Sequence, residues 1–216
     1  RDLVRSRGLG DVYKRQVIAG PGSGKTTVLT HRVRYLIERY GVNPSDILVI
    51  TFTKAAAEQM KLKFKGLSEG RNSAVTFGTF HAVFFTILKA AYNYSAHCII
   101  KPQIQHEFVK DQMCRLELEY DDENEAVAGV LSEISCVKGE DVNIDEYESR
   151  CIPPQSFRIM YRAYDDMLVR KHLIDFDDMI VQCRELLMQR EDYRRAWQNK
   201  YKYLSLIHIS EPTRPY

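Results

Sequence analysis

The sequence predicts an α/β fold in which helices cover both faces of a parallel β-sheet, with an all-helical insertion. Two observations carry this prediction. In the first 92 residues, short apolar runs of strand length alternate with helical segments, which is the pattern of a doubly wound parallel sheet. From Pro102 to about Gln198 the pattern is almost entirely helical, and the sheet is expected to resume at Tyr201.

The first strand-helix unit joins a short apolar run, residues 17–19, to a glycine-rich turn and a helix. The turn at residues 20–24 has the sequence GPGSG and leads directly into a Lys-Thr pair. Apolar residues then recur with a period near 3.6 as far as Tyr40, which predicts an amphipathic helix. Gly41 is the expected end of this helix.

A strand, a glycine loop, Gly-Lys-Thr and a helix, in this order, meet the requirements of a polyphosphate site. Glycines let backbone N–H groups converge on phosphate oxygens, and the helix N-terminus adds partial positive charge. Lys25 can reach the β- and γ-phosphates, and the Thr26 hydroxyl can bind Mg²⁺. We therefore predict that ATP and Mg²⁺ bind here, with Lys25 and Thr26 as the catalytic pair and with nucleotide contacts from Ala19, Gly20, Pro21, Gly22, Ser23, Gly24, Lys25, Thr26 and Thr27.

Ala19 stands where the full form of this pattern has glycine. The structural alternative is a glycine-rich turn between a strand and a helix, with an incidental lysine. The strand-like and helical flanks on the two sides favour nucleotide binding over that alternative.

The next elements continue the alternation of strands and helices. A near-continuous apolar run at residues 47–52 suits a strand that is buried on both faces. Thr53 is the expected N-cap of a helix that runs from residue 54 to about residue 65. A third strand is predicted at residues 74–77, and residues 78–81 turn into a helix that runs toward Ala91.

The second part of the chain contains four predicted helices, separated by polar or proline-containing breaks, at residues 103–118, 123–137, 155–170 and 176–189. The chain is therefore divided into a partial nucleotide-binding domain, a helical insertion and the start of the next core strand, at residues 17–92, 93–200 and 201–203.

The two ends of the chain have the character of a translated DNA repeat. Residues 11–16, DVYKRQ, back-translate to GAT GTG TAT AAG AGA CAG, whose reverse complement encodes LSLIHI, the sequence of residues 204–209. The relation continues outward for several codons. We interpret residues 1–16 and 204–216 as non-native and derived from a sequencing adapter, and predict that they pack poorly and contribute no core.

Composition narrows the functional classes. The formal net charge is +2, but the two end segments hold six basic and three acidic residues, so the rest of the chain is close to neutral and bulk charge gives no argument for nucleic acid. Five dispersed cysteines without a CxxC pair disfavour structural zinc and a disulfide framework. No apolar run is long enough to span a bilayer and no signal peptide is apparent, so we expect no membrane partner. The cysteines fit a reducing compartment, so we expect a cytoplasmic protein. We further expect this chain to be a monomer.

Four motifs, in this order, resemble the UvrD/Rep/PcrA group of superfamily 1 DNA helicases: AGPGSGKT at residues 19–26, TFTKAAAEQM at 51–60, GTFHA at 78–82 and DFDDM at 175–179. The resemblance covers residues 17–203. It implies a RecA-like P-loop NTPase core, here the first and partial motor domain, with an inserted helical subdomain. It further implies a fragment of an ATP-dependent 3′-to-5′ helicase that acts on single-stranded DNA and duplex junctions.

The resemblance also implies which residues contact DNA. The loop after the second strand corresponds to one that grips single-stranded DNA, and Phe52 is available there for base stacking. The implied contacts are Thr51, Phe52, Thr53, Lys54, Thr79, Phe80 and His81. Local pattern alone favours a Thr-capped helix at the TFTKAAAEQM motif and a capping or buried histidine at the GTFHA motif.

The DFDDM motif admits two interpretations. Its three carboxylates could bind Mg²⁺. We favour an acidic helix start that complements the helix dipole, because acidic residues are stabilising in a first helical turn. The carboxylates belong to Asp175, Asp177 and Asp178, and the side chains expected to be buried are Phe176, Met179 and Ile180.

Other functions stay open: another P-loop enzyme such as a small-molecule kinase, a helicase-nuclease subunit, or a nucleotide-binding module without turnover. Hydrolysis in the resembled family needs an Asp for Mg²⁺ and a Glu for water on the next core strand, with arginines from a second motor domain. The sequence interpreted as native stops at Tyr203, before such carboxylates. We therefore expect this chain to be inactive in hydrolysis by itself.

Overall fold

The computed structural model describes residues 5–6, 12–13, 18, 20, 22–68, 74–140 and 142–207. The chain forms two compact units, which are named here the sheet unit (Arg1–Thr79 with Tyr201–Tyr216) and the helical unit (Phe80–Lys200). The division lies one helix earlier than the boundary predicted at residues 92 and 93.

The described strands of the sheet unit are β1 (Arg5–Ser6), β2 (Val12–Tyr13), β3 (Ile47–Thr51), β4 (Thr76–Thr79) and β5 (Tyr203–Ile207). Three of them form a parallel sheet in the order β4-β3-β5. The two-residue strands β1 and β2 form a separate antiparallel ladder. In register, Thr51 pairs with Thr79 on one side and with Ile207 on the other, so the three parallel strands end at one edge. The predicted α/β fold with a parallel sheet is confirmed.

In the sheet unit, the first helix ends and the second begins where the sequence predicts, whereas the second ends two residues later than predicted. Helix α1 (Lys25–Tyr40) ends at Gly41, whose φ of 64° is left-handed and whose N–H donates to the Ile37 carbonyl at 3.1 Å. Helix α2 (Lys54–Leu67) begins at Thr53, whose hydroxyl accepts the Ala56 N–H at 3.2 Å. The core beside them consists of Val33, Ile47, Val49, Met60, Phe64, Val75 and Ile207.

The third strand lies two residues later than predicted, at Thr76–Thr79 instead of residues 74–77. Val75 is buried just before the strand, and the ladder with β3 begins only where Thr76 pairs with Leu48. Gly78, predicted to open the turn, pairs with Ile50 inside the strand. Pairing with the buried β3 outweighs the low strand preference of glycine.

The prediction that residues 204–216 contribute no core is wrong for residues 204–207. These residues form most of β5, and the Ile207 side chain is only 6% exposed. The side chains of Leu204 and Leu206 stay mostly exposed. A buried central strand offers hydrogen bonds to any extended segment with an apolar side chain at the inward position, whatever the origin of that segment.

The predicted first strand at residues 17–19 lies largely outside the described residues, as do most of residues 1–16 and all of 208–216. Ile18 is described, and it contradicts the prediction because it belongs to no strand and its side chain is 90% exposed. None of the described strands pairs with it, and an apolar side chain outside a ladder has no inward face to occupy.

Within residues 80–140 and 142–200, the helical unit contains six α-helices: α3 (Phe80–Tyr92), α4 (Pro102–Arg115), α5 (Glu123–Glu140), α6 (Pro154–Arg170), α7 (Phe176–Gln189) and α8 (Glu191–Lys200). The four predicted helices of this part agree with α4 to α7 within three residues at each end. Helix α8 was missed because it has no buried residue and therefore no apolar stripe. No helix in the described ranges combines the length and apolar character that a membrane crossing requires.

One core cluster of the helical unit is formed by side chains from α4, α5 and α6, together with Ile100 just before α4. Its buried members are Ile100, Val109, Met113, Val127, Val130, Ile134, Val137, Phe157, Met160, Tyr164, Met167 and Leu168. Tyr164 is fully buried and brings a hydroxyl group into this core, so a polar network begins there.

Candidate functional site

The glycine loop closes on its own backbone. The Gly20 carbonyl accepts the Ser23 N–H at 3.3 Å, the Ser23 hydroxyl at 2.6 Å and the Lys25 ammonium at 2.9 Å. One carbonyl oxygen therefore holds both the turn and the lysine at the N-terminal end of α1.

Two glycines of the loop require their left-handed backbone. Gly22 has a φ of 72° and Gly24, the N-cap of α1, has a φ of 80°. Side chains with a Cβ avoid this region because Cβ approaches the following carbonyl. Apart from the glycine and its chain neighbours, no atom of the described residues lies within 4 Å of a Cβ at either position, so the backbone angle, and not the space, demands glycine.

The first turn of α1 is open to an anion. It contains no acidic side chain, and the N–H groups at a helix start point toward solvent. Lys25 and Thr26 are half-buried, whereas Ser23 and Thr27 are exposed. The buried Thr30 hydroxyl lies within 3.1 Å of the Thr26 and Thr27 carbonyls, which stabilises this turn. Ala19 and Pro21 lie outside the described residues.

The turn after β3 exposes three of its four predicted DNA-contact residues. Phe52 is 59% exposed, and Thr53 and Lys54 face solvent. The Lys54 ammonium lies 4.0 Å from the Glu58 carboxylate, and both side chains are mostly exposed. Thr51 is different, because it is 1% exposed and its hydroxyl donates to the Thr53 carbonyl at 2.9 Å. Its position favours support of the turn over direct contact.

The predicted residues of the third motif lie at the end of β4 and the start of α3. Thr79 is the last residue of β4, in register with Thr51, and is half-buried. In the helical unit, the Phe80 and Phe84 ring centroids are 6.0 Å apart. The His81 ring meets Phe176 edge to face, with centroids 5.3 Å apart and an interplanar angle of 79°.

The DFDDM motif surrounds a buried lysine that the sequence analysis missed. The Lys138 side chain is 4% exposed, and its ammonium lies 3.0 Å from Asp165, 3.0 Å from Asp175 and 2.8 Å from Asp178. One signal could have revealed it, since Lys138 follows Val137 on the apolar stripe of α5. Among the described residues no group of three or more metal-ligating side chains could hold a metal ion.

Burial in the DFDDM motif differs from the prediction. Met179 is buried as expected, but Phe176 is 54% exposed and Ile180 is 43% exposed. Asp175 caps α7 by accepting the Asp178 N–H at 2.7 Å. Phe176 and Ile180 are four residues apart and share one face, whereas the buried stripe passes through Met179, Cys183 and Leu186.

The charges around Lys138 perturb one another. Burial, and then the negative charge of Asp175, raises the pKa of Asp178 to about 6. Burial alone would lower the pKa of Lys138, but the carboxylates of Asp175, Asp178 and Asp165 outweigh it and raise that pKa. Burial also raises the pKa of Asp177, against a hydrogen bond with Ser135. Lys138 is therefore held in its charged form.

Comparison with known proteins connects this geometry to a family. Residues 12–207 match the family described as the UvrD/REP helicase N-terminal domain. The chain is 30% identical over 207 residues to the ATP-dependent DNA helicase PcrA of Staphylococcus epidermidis, covering 90% of the chain and 27% of the relative.

Two further relatives have similar extents. A probable DNA helicase II homolog of Mycoplasma capricolum is 29% identical over 197 residues, 88% of the chain and 27% of the relative. The PcrA helicase of Staphylococcus aureus is 28% identical over 204 residues, 90% of the chain and 27% of the relative. The chain thus spans about a quarter of the length of these curated relatives. With its parallel sheet, its glycine loop and a family match over nearly the whole chain, it belongs to the UvrD/REP helicase N-terminal domain family.

Proposed function

We propose that the chain binds Mg-ATP at the glycine loop and single-stranded DNA at the carboxyl edge of its sheet, as part of an ATP-dependent 3′-to-5′ DNA helicase. The names of the relatives, ATP-dependent DNA helicases, support this assignment. The observation that carries it is the Lys25 ammonium held at a glycine loop that opens a helix without acidic residues in its first turn.

Nucleotide binding would replace the hydrogen bond between Lys25 and Gly20 with a hydrogen bond from Lys25 to a phosphate oxygen. The Lys25 ammonium donates to the Gly20 carbonyl at 2.9 Å, and a β- or γ-phosphate is a stronger, charged acceptor. The contacts proposed around the phosphates come from Ala19, Gly20, Pro21, Gly22, Ser23, Gly24, Lys25, Thr26 and Thr27.

Mg²⁺ fits the loop only together with the nucleotide. Thr26, half-buried in the first turn of α1, would supply one hydroxyl oxygen, and phosphates and water would complete the shell, as Mg²⁺ prefers. When bound, Mg²⁺ neutralises charge on the phosphates. The described residues offer no preformed carboxylate cluster for the ion.

DNA binding is proposed at the carboxyl ends of the strands, where ligands of open α/β sheets bind. Phe52 exposes a ring for base stacking, and Lys54 offers a charge for phosphate. Thr53 and Thr79 add hydroxyl groups, and Thr51 supports the turn. In the helical unit, Phe80 and His81 are proposed as further contacts. Single-stranded DNA and duplex junctions in the cytoplasm would be the substrates, with the chain acting as a monomer.

A second candidate, nucleotide binding without turnover, is favoured for the chain itself. Strand β5, Tyr203–Ile207, contains no carboxylate, and the family resemblance places the catalytic Asp and Glu on the next core strand. Lys25 and Thr26 can hold Mg-ATP without such groups, so binding and hydrolysis are separable in this chain.

Calorimetric titration with Mg-ATP tests the nucleotide site. Lys25→Ala should raise the Kd roughly 10- to 100-fold or beyond detection, because a hydrogen bond to a charged group contributes about 1.5–3 kcal/mol. Lys61→Ala, an exposed lysine of α2, is the matched control and should leave the Kd unchanged. Equal affinities for the wild type and Lys25→Ala would overturn the assignment.

A further inference from the structure

The buried ammonium of Lys138 joins three helices of the helical unit. Lys138 extends from α5, meets Asp165 on α6, and meets Asp175 and Asp178 at the start of α7. The Tyr164 hydroxyl also donates to the Asp175 carboxylate at 3.2 Å. This arrangement fixes Asp175 from two sides, while Asp175 itself caps α7.

Helix α5 holds two of the three aspartates of the DFDDM motif. The Lys138 ammonium donates to the Asp175 carboxylate at 3.0 Å and to the Asp178 carboxylate at 2.8 Å. The start of α7 is thus attached to α5 at two acidic positions, residues 175 and 178. Residue 176 lies between them, so its backbone is fixed by the same contacts.

The side chain at position 176 points away from the core. Phe176 is 54% exposed, and its ring packs edge to face on His81, with centroids 5.3 Å apart. A half-exposed aromatic ring is not a core residue. The contact with His81 is therefore the feature that explains an aromatic side chain at position 176. Helices α3 and α7 pack together here, so the position of the first turn of α7 determines where the Phe176 ring lies.

From these contacts we propose that Lys138 is a positioning residue for His81. By its ion pairs it fixes the first turn of α7, and through the Phe176 ring it sets the orientation of the His81 imidazole for nucleic acid. The proposal rests on the proposed DNA contact by His81. It gives the DFDDM motif a role that is neither metal binding nor simple helix capping.

The energetics of buried charge support a positioning role. Desolvation offsets most of the attraction in a buried ion pair, so apolar replacements can be as stable, and such groups are retained in some proteins for conformational specificity. Lys138 has three acidic partners and lies 5.1 Å from the Tyr164 ring centroid. These groups therefore restrict the Lys138 ammonium to one location, as a residue that positions neighbouring side chains requires.

The test records the imidazole NMR signals of His81 in the whole chain, assigned with His81→Ala. Phe176→Leu removes the aromatic ring and defines the shift that the ring current causes. Lys138→Met should move the His81 signals in the same direction by at least half of that shift. Lys110→Met, which breaks the more exposed Lys110–Glu123 pair, is the matched control and should leave the signals in place.

Circular dichroism shows whether Lys138→Met folds. If it does not, Asp178→Asn, which removes one of the two ion pairs to α7, replaces it and should shift the signals in the same direction by a smaller amount. Unchanged His81 signals in a folded Lys138→Met, or in Asp178→Asn as its replacement, would overturn the positioning role.

Fluorescence anisotropy with labelled oligo-dT links positioning to binding. Lys138→Met should raise the Kd at least 3-fold, and the same change should have no further effect in a His81→Ala background. An equal effect in both backgrounds would overturn action through His81. If His81→Ala alone leaves the Kd unchanged, the DNA contact fails, and with it the role of Lys138 in binding, while the NMR result still decides whether Lys138 positions the ring.

Discussion

Thr51 and Ile207 are register partners at the carboxyl ends of two adjacent parallel strands, β3 and β5. The Thr51 hydroxyl turns inward to the Thr53 carbonyl, and Ile207 packs into the core of the sheet unit. The carboxyl edge of the sheet, where DNA is proposed to bind, therefore has a buried apolar residue at the end of β5. We expect this residue to contribute to the stability of the sheet unit.

The first prediction compares two neighbouring residues of β5. Ile207→Ala should lower the free energy of unfolding by about 2–4 kcal/mol, because it leaves a cavity in the core. Leu206→Ala should cost less than about 1 kcal/mol, because Leu206 is 57% exposed. Urea unfolding of both variants measures the difference. Equal costs would mean that β5 is not part of the folded sheet.

The second prediction concerns ATP hydrolysis by the chain alone. Strand β5 carries no carboxylate, and an arginine from a second domain contributes roughly 10³–10⁵ in rate where it acts. The chain should therefore release phosphate no faster than a Thr26→Ala variant, with or without single-stranded DNA, and should not unwind a duplex. DNA-stimulated phosphate release that is lost in Lys25→Ala would show that another carboxylate serves catalysis.

The third prediction tests the backbone of the loop. Gly24→Ala places a Cβ on a residue whose φ is 80°, which should raise the free energy of the loop conformation by about 1–2 kcal/mol. Because Mg-ATP binds to that conformation, its Kd should rise by roughly tenfold. Gly20→Ala has open space and no left-handed backbone, so thermal unfolding should show little change. Similar melting temperatures for the two variants would argue against the left-handed loop.

The fourth prediction tests the exposed ring after β3. Phe52→Ala should weaken oligo-dT binding by about 1–3 kcal/mol, the contribution of one stacked base, with little change in stability because the ring is 59% exposed. Anisotropy titration measures the affinity. Tyr40→Ala, another exposed aromatic side chain of the sheet unit, is the control, and an equal loss in both variants would exclude specific stacking by Phe52.

The fifth prediction follows from the pKa of Asp178, which burial and Asp175 raise from about 3.8 to about 6. The folded state then binds this proton more tightly than the unfolded state, so the contribution of Asp178 to stability falls as pH rises from 4 through 6. Asp178→Asn lacks this loss. Its free energy of unfolding, relative to the wild type, should rise by about 1–3 kcal/mol between pH 4 and pH 7.5.

Urea unfolding at the two pH values measures this change. Asp192→Asn is the control, because a hydrogen bond from Arg190 lowers the pKa of the Asp192 carboxyl and any pH effect should have the opposite sign. A relative stability of Asp178→Asn that falls with pH would mean that Lys138 dominates and lowers the pKa of Asp178.

The sequence could predict the features of this structure that depend on residues close together in the chain. Thr53 and Gly41 mark a helix start and a helix end because caps depend on a few neighbouring residues. The glycine loop was predicted for the same reason. Lys138 and Ile207 were missed because their roles depend on partners 37 and 156 residues away in the sequence, and no short pattern contains both members of such pairs.

The hydrogen bond between Lys25 and Gly20 has a consequence for the entropy of binding. A lysine side chain loses up to about 2 kcal/mol of rotamer freedom when it is immobilised. Because the Lys25 ammonium already donates to the loop carbonyl at 2.9 Å, much of that loss occurs on folding and not on nucleotide capture. The loop is preorganised, so its affinity depends mainly on how much better a phosphate oxygen accepts the ammonium than a peptide oxygen does.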